Sequence, residues 1–289
     1  MEPRPLLGEE CASVTDELSL IDAYCDTVPR AAADVEQIGG FTLFVGRPGR
    51  AYYARPAISS PAQTSGDINA VLARQRSLGV PQEFEWIHEL APDLHATARA
   101  AGLQVRELPL MALRGLAATG VPDGYRVRIL DADDPCVPSA LAAIGVAFGT
   151  PGTDRGAAGT AERDTATADR NDPGVRATID QLRRRLFVLA TAESLGWGGS
   201  DAGPVAGGSY SPRGRVAEIT GVATLPAHRR RGLGAALTRL LCADAAAGGT
   251  ELCFLTAGSD AVARVYAGVG FVRIGTGCLA EPGPPAVGE

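Results

Sequence analysis

The sequence contains no lysine: all 27 basic residues among its 289 are arginine. That excludes Schiff-base catalysis through a lysine and the phosphate-binding lysine of a Walker loop. Histidine is scarce as well. The three present, His88, His95 and His228, do not cluster with the cysteines, so no zinc site is expected. The six cysteines are scattered from Cys11 to Cys278 without a C-x-x-C pair. They read as reduced core thiols of a cytoplasmic protein. No apolar run approaches the ~20 residues of a membrane span; the longest nearly unbroken one is 140–148. The start, MEPRPLLGEECASV, has no basic stretch leading into an apolar one, and no signal peptide is expected. A net charge of -6 argues against a general nucleic-acid binder, which needs positive surface.

What is present is enough for a sizeable core. Apolar residues make up 45%, too many for a globally disordered chain. The length allows two domains. In the first half, helices are expected at 9–27, 66–78 and 93–101, and strands at 41–45, 50–54, 83–88 and 103–113. The turn Gly46-Arg47-Pro48-Gly49 makes the first two strands a hairpin. Glycines and a proline between Arg114 and Gly124 mark a boundary, giving domains 1–120 and 121–289. The second half reads as strand 125–130, helix 136–148, helix 174–184, strands 186–192, 205–210 and 215–225, helix 233–247, strand 251–256, helix 259–268 and strand 271–279. Residues 149–173 carry almost no large apolar side chain and are expected to be a mobile loop. Segments 84–113 and 252–281 repeat one strand–helix–Gly–strand pattern at an offset of 168, with Gly102 on Gly270. That suggests two related domains. Trp86 and Trp197 are expected to pack rather than to stack on a ligand.

The stretch that carries chemistry is Glu218-Ile219-Thr220-Gly221-Val222-Ala223-Thr224, followed by His228-Arg229-Arg230-Arg231-Gly232-Leu233-Gly234-Ala235 and a helix. A strand, an Arg/Gly turn and a helix N-terminus bring unpaired N–H groups together with the positive end of a helix dipole. Gly232 and Gly234 allow close backbone approach, and arginines suit phosphate. A pyrophosphate fits there. A dinucleotide site would need a third glycine after Gly232-x-Gly234 and an acidic residue further on, which are missing. A plain basic turn or targeting signal sits poorly inside a strand–helix unit. A coenzyme A site is the third reading. No such loop precedes the helix at 66–78.

The run V-A-T-x-P-x-x-R-R-R-G-x-G-A resembles the signature of the GNAT superfamily of acyl-CoA-dependent N-acyltransferases. Its R/Q-x-x-G-x-G/A loop is matched by Arg229, Gly232 and Gly234, and Tyr266 to Phe271 resembles the family's Y-x-x-x-G-F. The resemblance covers about 125–281. It implies an α/β GNAT fold, a mixed, mostly antiparallel sheet flanked by helices, with a smaller, degenerate GNAT-like N-terminal domain. It implies an N-acetyltransferase that takes an acetyl group from acetyl-CoA, without a metal, to the amine of a small molecule or peptide. A non-catalytic acyl-CoA sensor and a mycothiol-synthase-like tandem enzyme stand as alternatives, and a homodimer is left open. By the same resemblance, Val222, Ala223 and Thr224 receive the thioester, on a strand bulged at Gly221 and splayed from its neighbour. Arg229, Arg230, Arg231, Gly232, Leu233, Gly234 and Ala235 hold the pyrophosphate. Ser259 stands where many members have Asn and is a further cofactor contact. Glu218 is the general base, on the same strand face as Val222 by its even spacing. Tyr266 is the general acid, a phenol near ~10 matched to a thiolate. Glu162-Arg163-Asp164 is a candidate lid that recruits a cationic amine.

Overall fold

The computed structural model describes residues 13–46, 53–118, 120–196 and 202–283. Its chain is mixed α/β, with eight α-helices among the described residues. The chain begins with α1 (Val14–Arg30), whose Ser13 and Asp16 form a capping box. Then come β1 (Ala33–Ile38), β2 (Phe41–Gly46), β3 (Ala54–Pro56), α2 (Ser65–Leu78), β4 (Phe84–Ile87), α3 (Leu94–Ala100) and β5 (Leu103–Leu113). Next are β6 (Tyr125–Leu130), α4 (Val137–Phe148), α5 (Thr160–Ala166), α6 (Pro173–Arg183), β7 (Val188–Ser194), β8 (Gly203–Arg213) and β9 (Val216–Thr224). The chain closes with α7 (Leu233–Ala247), β10 (Leu252–Thr256), α8 (Asp260–Ala267) and β11 (Phe271–Pro282). No described helix is long and apolar enough to cross a membrane.

Two compact units divide the chain, and the division is not a single cut. One unit runs from residue 13 to Leu110 and takes in the chain again from Arg273; the other is Met111–Val272. In the first unit the strand order is β1-β2-β3-β4-β11-β5. β11, from the far end of the chain, inserts between β4 and β5 and pairs antiparallel with β4, Cys278 opposite Trp86 and Ala280 opposite Phe84. Its core gathers Phe41, Leu43, Ile68, Val71, Trp86 and Leu103. Trp86 therefore packs; Trp197 lies outside the described residues. β2 and β3 pair antiparallel, Phe41 opposite Pro56, while the turn between them is outside the described residues.

In the second unit the order is β10-β9-β8-β7-β6, antiparallel except for β9 and β10. α4 covers one face and α7 the other: Ile144 lies over Gly207, and Leu241 lies over Gly208. The core between sheet and α7 holds Tyr210, Ile219, Leu233, Leu237, Leu241 and Phe271.

The segment 149–173 is not the mobile loop its composition suggests. It contains α5, and Arg163 there is buried, its guanidinium donating to the carbonyls of Pro204 at 2.7 Å and Ala202 at 3.2 Å. The helix escapes a search for apolar periodicity because its inward side chains are Thr160 and Arg163. The same facts remove the lid. Glu162 accepts the Gly159 N–H at 2.7 Å as a cap of α5, which holds its carboxyl below the ordinary range, and Arg163 points inward.

Candidate active site

β9 carries the expected bulge. Its partners on β8 run Ser209↔Thr220 and then Gly207↔Ala223, so β9 has one residue more than β8 in this interval. Gly221 sits there at φ +64°, a left-handed conformation that glycine adopts without the Cβ clash other residues meet. On its other side β9 pairs with β10 only from Val216↔Leu252 to Glu218↔Phe254, although β9 continues to Thr224. The ladder to β10 ends at Glu218, and β10 itself ends at Thr256, so Val222, Ala223 and Thr224 extend past the end of that strand.

The bulge overturns one expectation. With an extra residue in the strand, even spacing no longer means a shared face. Ile219 and Val222, three apart, both pack into the core with Leu237 and Leu241 of α7. Glu218, next to Ile219, therefore lies on the opposite face, the one α4 covers. Glu218 is half-buried, with Ser211 as its neighbour on β8. Close by, Ser209 Oγ donates to the Thr220 carbonyl at 3.1 Å and contacts Thr220 Oγ1 at 3.0 Å.

The three arginines after β9 part ways. Arg229 turns inward, 8% exposed. Its guanidinium donates to four carbonyls: Ala147 at 2.9 Å, Thr150 at 2.6 Å, Asp154 at 3.2 Å and Thr224 at 3.1 Å. Burial lowers its pKa from the usual value, an effect that Asp154 opposes. Arg230 is exposed and takes φ +60°. Arg231 lies along Tyr125: its Nη1 donates to the phenol oxygen at 2.6 Å, and its guanidinium carbon is 5.9 Å from the ring centroid. The Tyr125 hydroxyl also contacts His228 Nδ1 at 3.0 Å. Nothing near Tyr125 in the sequence marks it, because its two partners lie more than a hundred residues away.

Gly232 then opens α7 at φ +81°, with no side-chain cap. The first described bond into the helix is Ala236 N–H to the Gly232 carbonyl at 3.0 Å. The N–H groups of Leu233, Gly234 and Ala235 thus stand at the start of a 15-residue helix, where an anion is stabilised by N–H donors and dipole together. Ser259, by contrast, caps α8, its Oγ accepting the Val262 N–H at 3.3 Å. Tyr266 is half-buried on α8, with its ring 6.0 Å from that of Phe271 in an edge-on arrangement. Burial first, and Cys242 nearby, push its phenol up to about 12. The phenol is therefore a weaker acid than an unperturbed tyrosine.

Residues 160–271 match the model of the Acetyltransferase (GNAT) family. No curated protein matches the sequence. Solved structures extend the likeness over nearly the whole chain. A GCN5-related N-acetyltransferase from Kribbella flavida is 20% identical with a TM-score of 0.67, over 93% of this chain and 97% of that one. A tandem GNAT protein from the clavulanic acid biosynthesis pathway is 17% identical with a TM-score of 0.53, over 98% of each chain. A GCN5-related N-acetyltransferase-like protein from Streptococcus suis is 12% identical with a TM-score of 0.53, over 93% of this chain and 99% of that one. At these identities the likeness is one of fold.

Proposed function

We propose that the protein is an N-acetyltransferase that moves an acetyl group from acetyl-CoA to the amine of a small molecule or peptide. The observation that carries this reading is the uncapped start of α7 beside a strand that is bulged against β8 and continues past its ladder to β10. The N–H groups of Leu233, Gly234 and Ala235, with Arg230 and Arg231 beside them, suit a pyrophosphate. The stretch of β9 beyond its ladder to β10 suits an extended thioester arm lying along Val222, Ala223 and Thr224. Arg229 contributes through its main chain, since its side chain is committed to carbonyls.

In this reading Glu218 accepts a proton from the incoming ammonium on the α4 face of β9. The freed amine attacks the thioester carbon, and a β9 N–H near Val222 stabilises the oxyanion, worth up to ~3–4 kcal/mol in comparable sites. The adduct's nitrogen gives up its extra proton to solvent, the C–S bond breaks and the electron pair leaves with sulfur. Tyr266 meets the thiolate as a hydrogen-bond donor. With its pKa near 12, full proton transfer to a thiolate of ~8.5–10 is uphill, so the phenol stabilises sulfur until solvent supplies the proton.

The test is thermal stability with acetyl-CoA, CoA and NADH, for the wild type and Gly234→Glu. A Cβ at Gly234 meets only Val222 Cγ1, at 4.0 Å, so the backbone there has room for the first carbon of a side chain, and a glutamate brings negative charge to the anion site. A ligand at ~100 times its Kd adds ~2.7 kcal/mol, several degrees in Tm. Both CoA species are expected to raise the wild-type Tm, NADH to leave it unchanged, and the variant to respond to none. A wild type that ignores both CoA species overturns the reading.

A further inference from the structure

Arg229 belongs to the sequence motif, yet its side chain faces away from the loop that the motif names. It gathers four carbonyls from two chain segments: Thr224 at the end of β9, and Ala147, Thr150 and Asp154 at and after the end of α4. Main-chain bonds run alongside, Gly156 N–H to the Pro226 carbonyl at 3.2 Å and Ala227 N–H to the Ala158 carbonyl at 3.0 Å. A guanidinium is suited to this task because it has five donors in a rigid plane and no acceptor. The Ala147 carbonyl belongs to the negative end of α4, where a cation is favoured. The residue that fixes where the anion loop leaves β9 is therefore the same residue that fixes where α4 ends. α4 covers the face of the sheet on which Glu218 lies.

We propose that Arg229 is a positioning residue that couples the anion loop to segment 148–158, so that a ligand ordering the loop also orders the wall on the Glu218 face. The coupling rests on the reading of this loop as a CoA site. Two sites that share one set of hydrogen bonds stabilise each other: ordering one reduces the entropy left to lose in the other. Arg231 has no such reach, being laid on Tyr125 of β6; Arg230 touches the segment only through an exposed ion pair with Asp154 at 4.0 Å, where solvent screens it.

Hydrogen exchange of the full chain with and without saturating CoA tests this, with calorimetry to establish that CoA is bound. In the wild type, CoA is expected to slow exchange in 148–158 by about fivefold or more, as local opening becomes costlier. In Arg229→Gln that segment exchanges faster from the outset and does not respond, even at CoA concentrations that saturate the variant. Arg230→Gln weakens CoA binding but keeps the response. The coupling is overturned if 148–158 responds in Arg229→Gln as in the wild type, or if it ignores bound CoA in the wild type. Should CoA not bind the wild type, the cofactor reading fails, and the clamp is judged without ligand: equal exchange of 148–158 in wild type and Arg229→Gln overturns it. Should Arg229→Gln not fold, Arg229→Lys replaces it, keeping the charge while losing the fork.

Discussion

Two helices of this chain begin in opposite ways, and the difference marks where an anion can be held. α2 starts behind a capping box: Thr64 Oγ1 accepts the Asp67 N–H at 3.2 Å, and Asp67 returns to the Thr64 N–H at 2.9 Å. A Cβ on Gly39 would fall 1.9 Å from Asp67 Oδ1, so the carboxylate is enclosed as well as bonded. The positive end of that helix is occupied by the protein's own anion. α7 starts behind Gly232, without a cap, and with arginines in front of it. An internal carboxylate stabilises a helix and closes it to ligands, whereas a glycine leaves donors unsatisfied until a ligand arrives.

The contrast between the two units can be broken most severely at β11. Ending the chain at Val272 removes the strand that lies between β4 and β5 in the first unit. The expected result is loss of exchange protection throughout β4 and β5, measured by hydrogen exchange; retained protection would show that this unit does not need β11. The next effect is catalytic. Tyr266→Phe is expected to lower kcat by about a hundredfold, the usual cost of removing one hydrogen-bond donor from a developing charge, with the KM for acetyl-CoA nearly unchanged; unaltered kcat would remove Tyr266 from the mechanism.

The same phenol makes a pH prediction. A tyrosine raised from ~10 in the unfolded chain to about 12 in the fold stays protonated through the neutral range. Its contribution to stability is complete below pH ~10 and is lost as pH rises towards 12. An alkaline limb of kcat near pH 8–9 that disappears in Tyr266→Phe would contradict this.

A smaller effect comes from Tyr125→Phe, which frees Arg231 from its phenol. A rise of about three- to tenfold in acetyl-CoA Kd is expected, the net worth of roughly one ordinary hydrogen bond, read by calorimetry. The smallest sharpens the comparison directly. Thr64→Ala is expected to cost about 1 kcal/mol of stability through the lost cap, read by denaturant unfolding. CoA affinity should stay unchanged, because the α2 terminus is not the anion site.

Much of this was legible in the sequence because it is decided locally. α7 and β6 begin and end as their periodicity indicates. Gly79 takes φ +65° at the end of α2, and Gly221 takes φ +64° in the bulge. Gly102 and Gly270, aligned by the repeat, both have positive φ. The strand β1 was not legible. Its sequence ADVEQI buries only Ala33, and the strand exists because it pairs along its length with β2. Nor was α5, whose buried face is a threonine and an arginine.

The candidate site divides along the same line. The bulge, the uncapped helix start and the Tyr266 position follow from a glycine, a missing cap and a motif, all short-range matters of backbone freedom and hydrogen bonding. The face on which Glu218 lies depends on one extra residue in a ladder, which only pairing with β8 reveals. Which arginine meets solvent and which is buried depends on carbonyls from 147 to 154, some eighty residues away. The sequence by itself determined the elements, the left-handed turns and the open helix end, because those are settled within a few residues of chain. The tertiary structure alone decided that β11 completes the first unit and that Arg229 turns inward. Both outcomes satisfy backbone donors or acceptors with partners that are distant along the chain, and no local pattern encodes such partners.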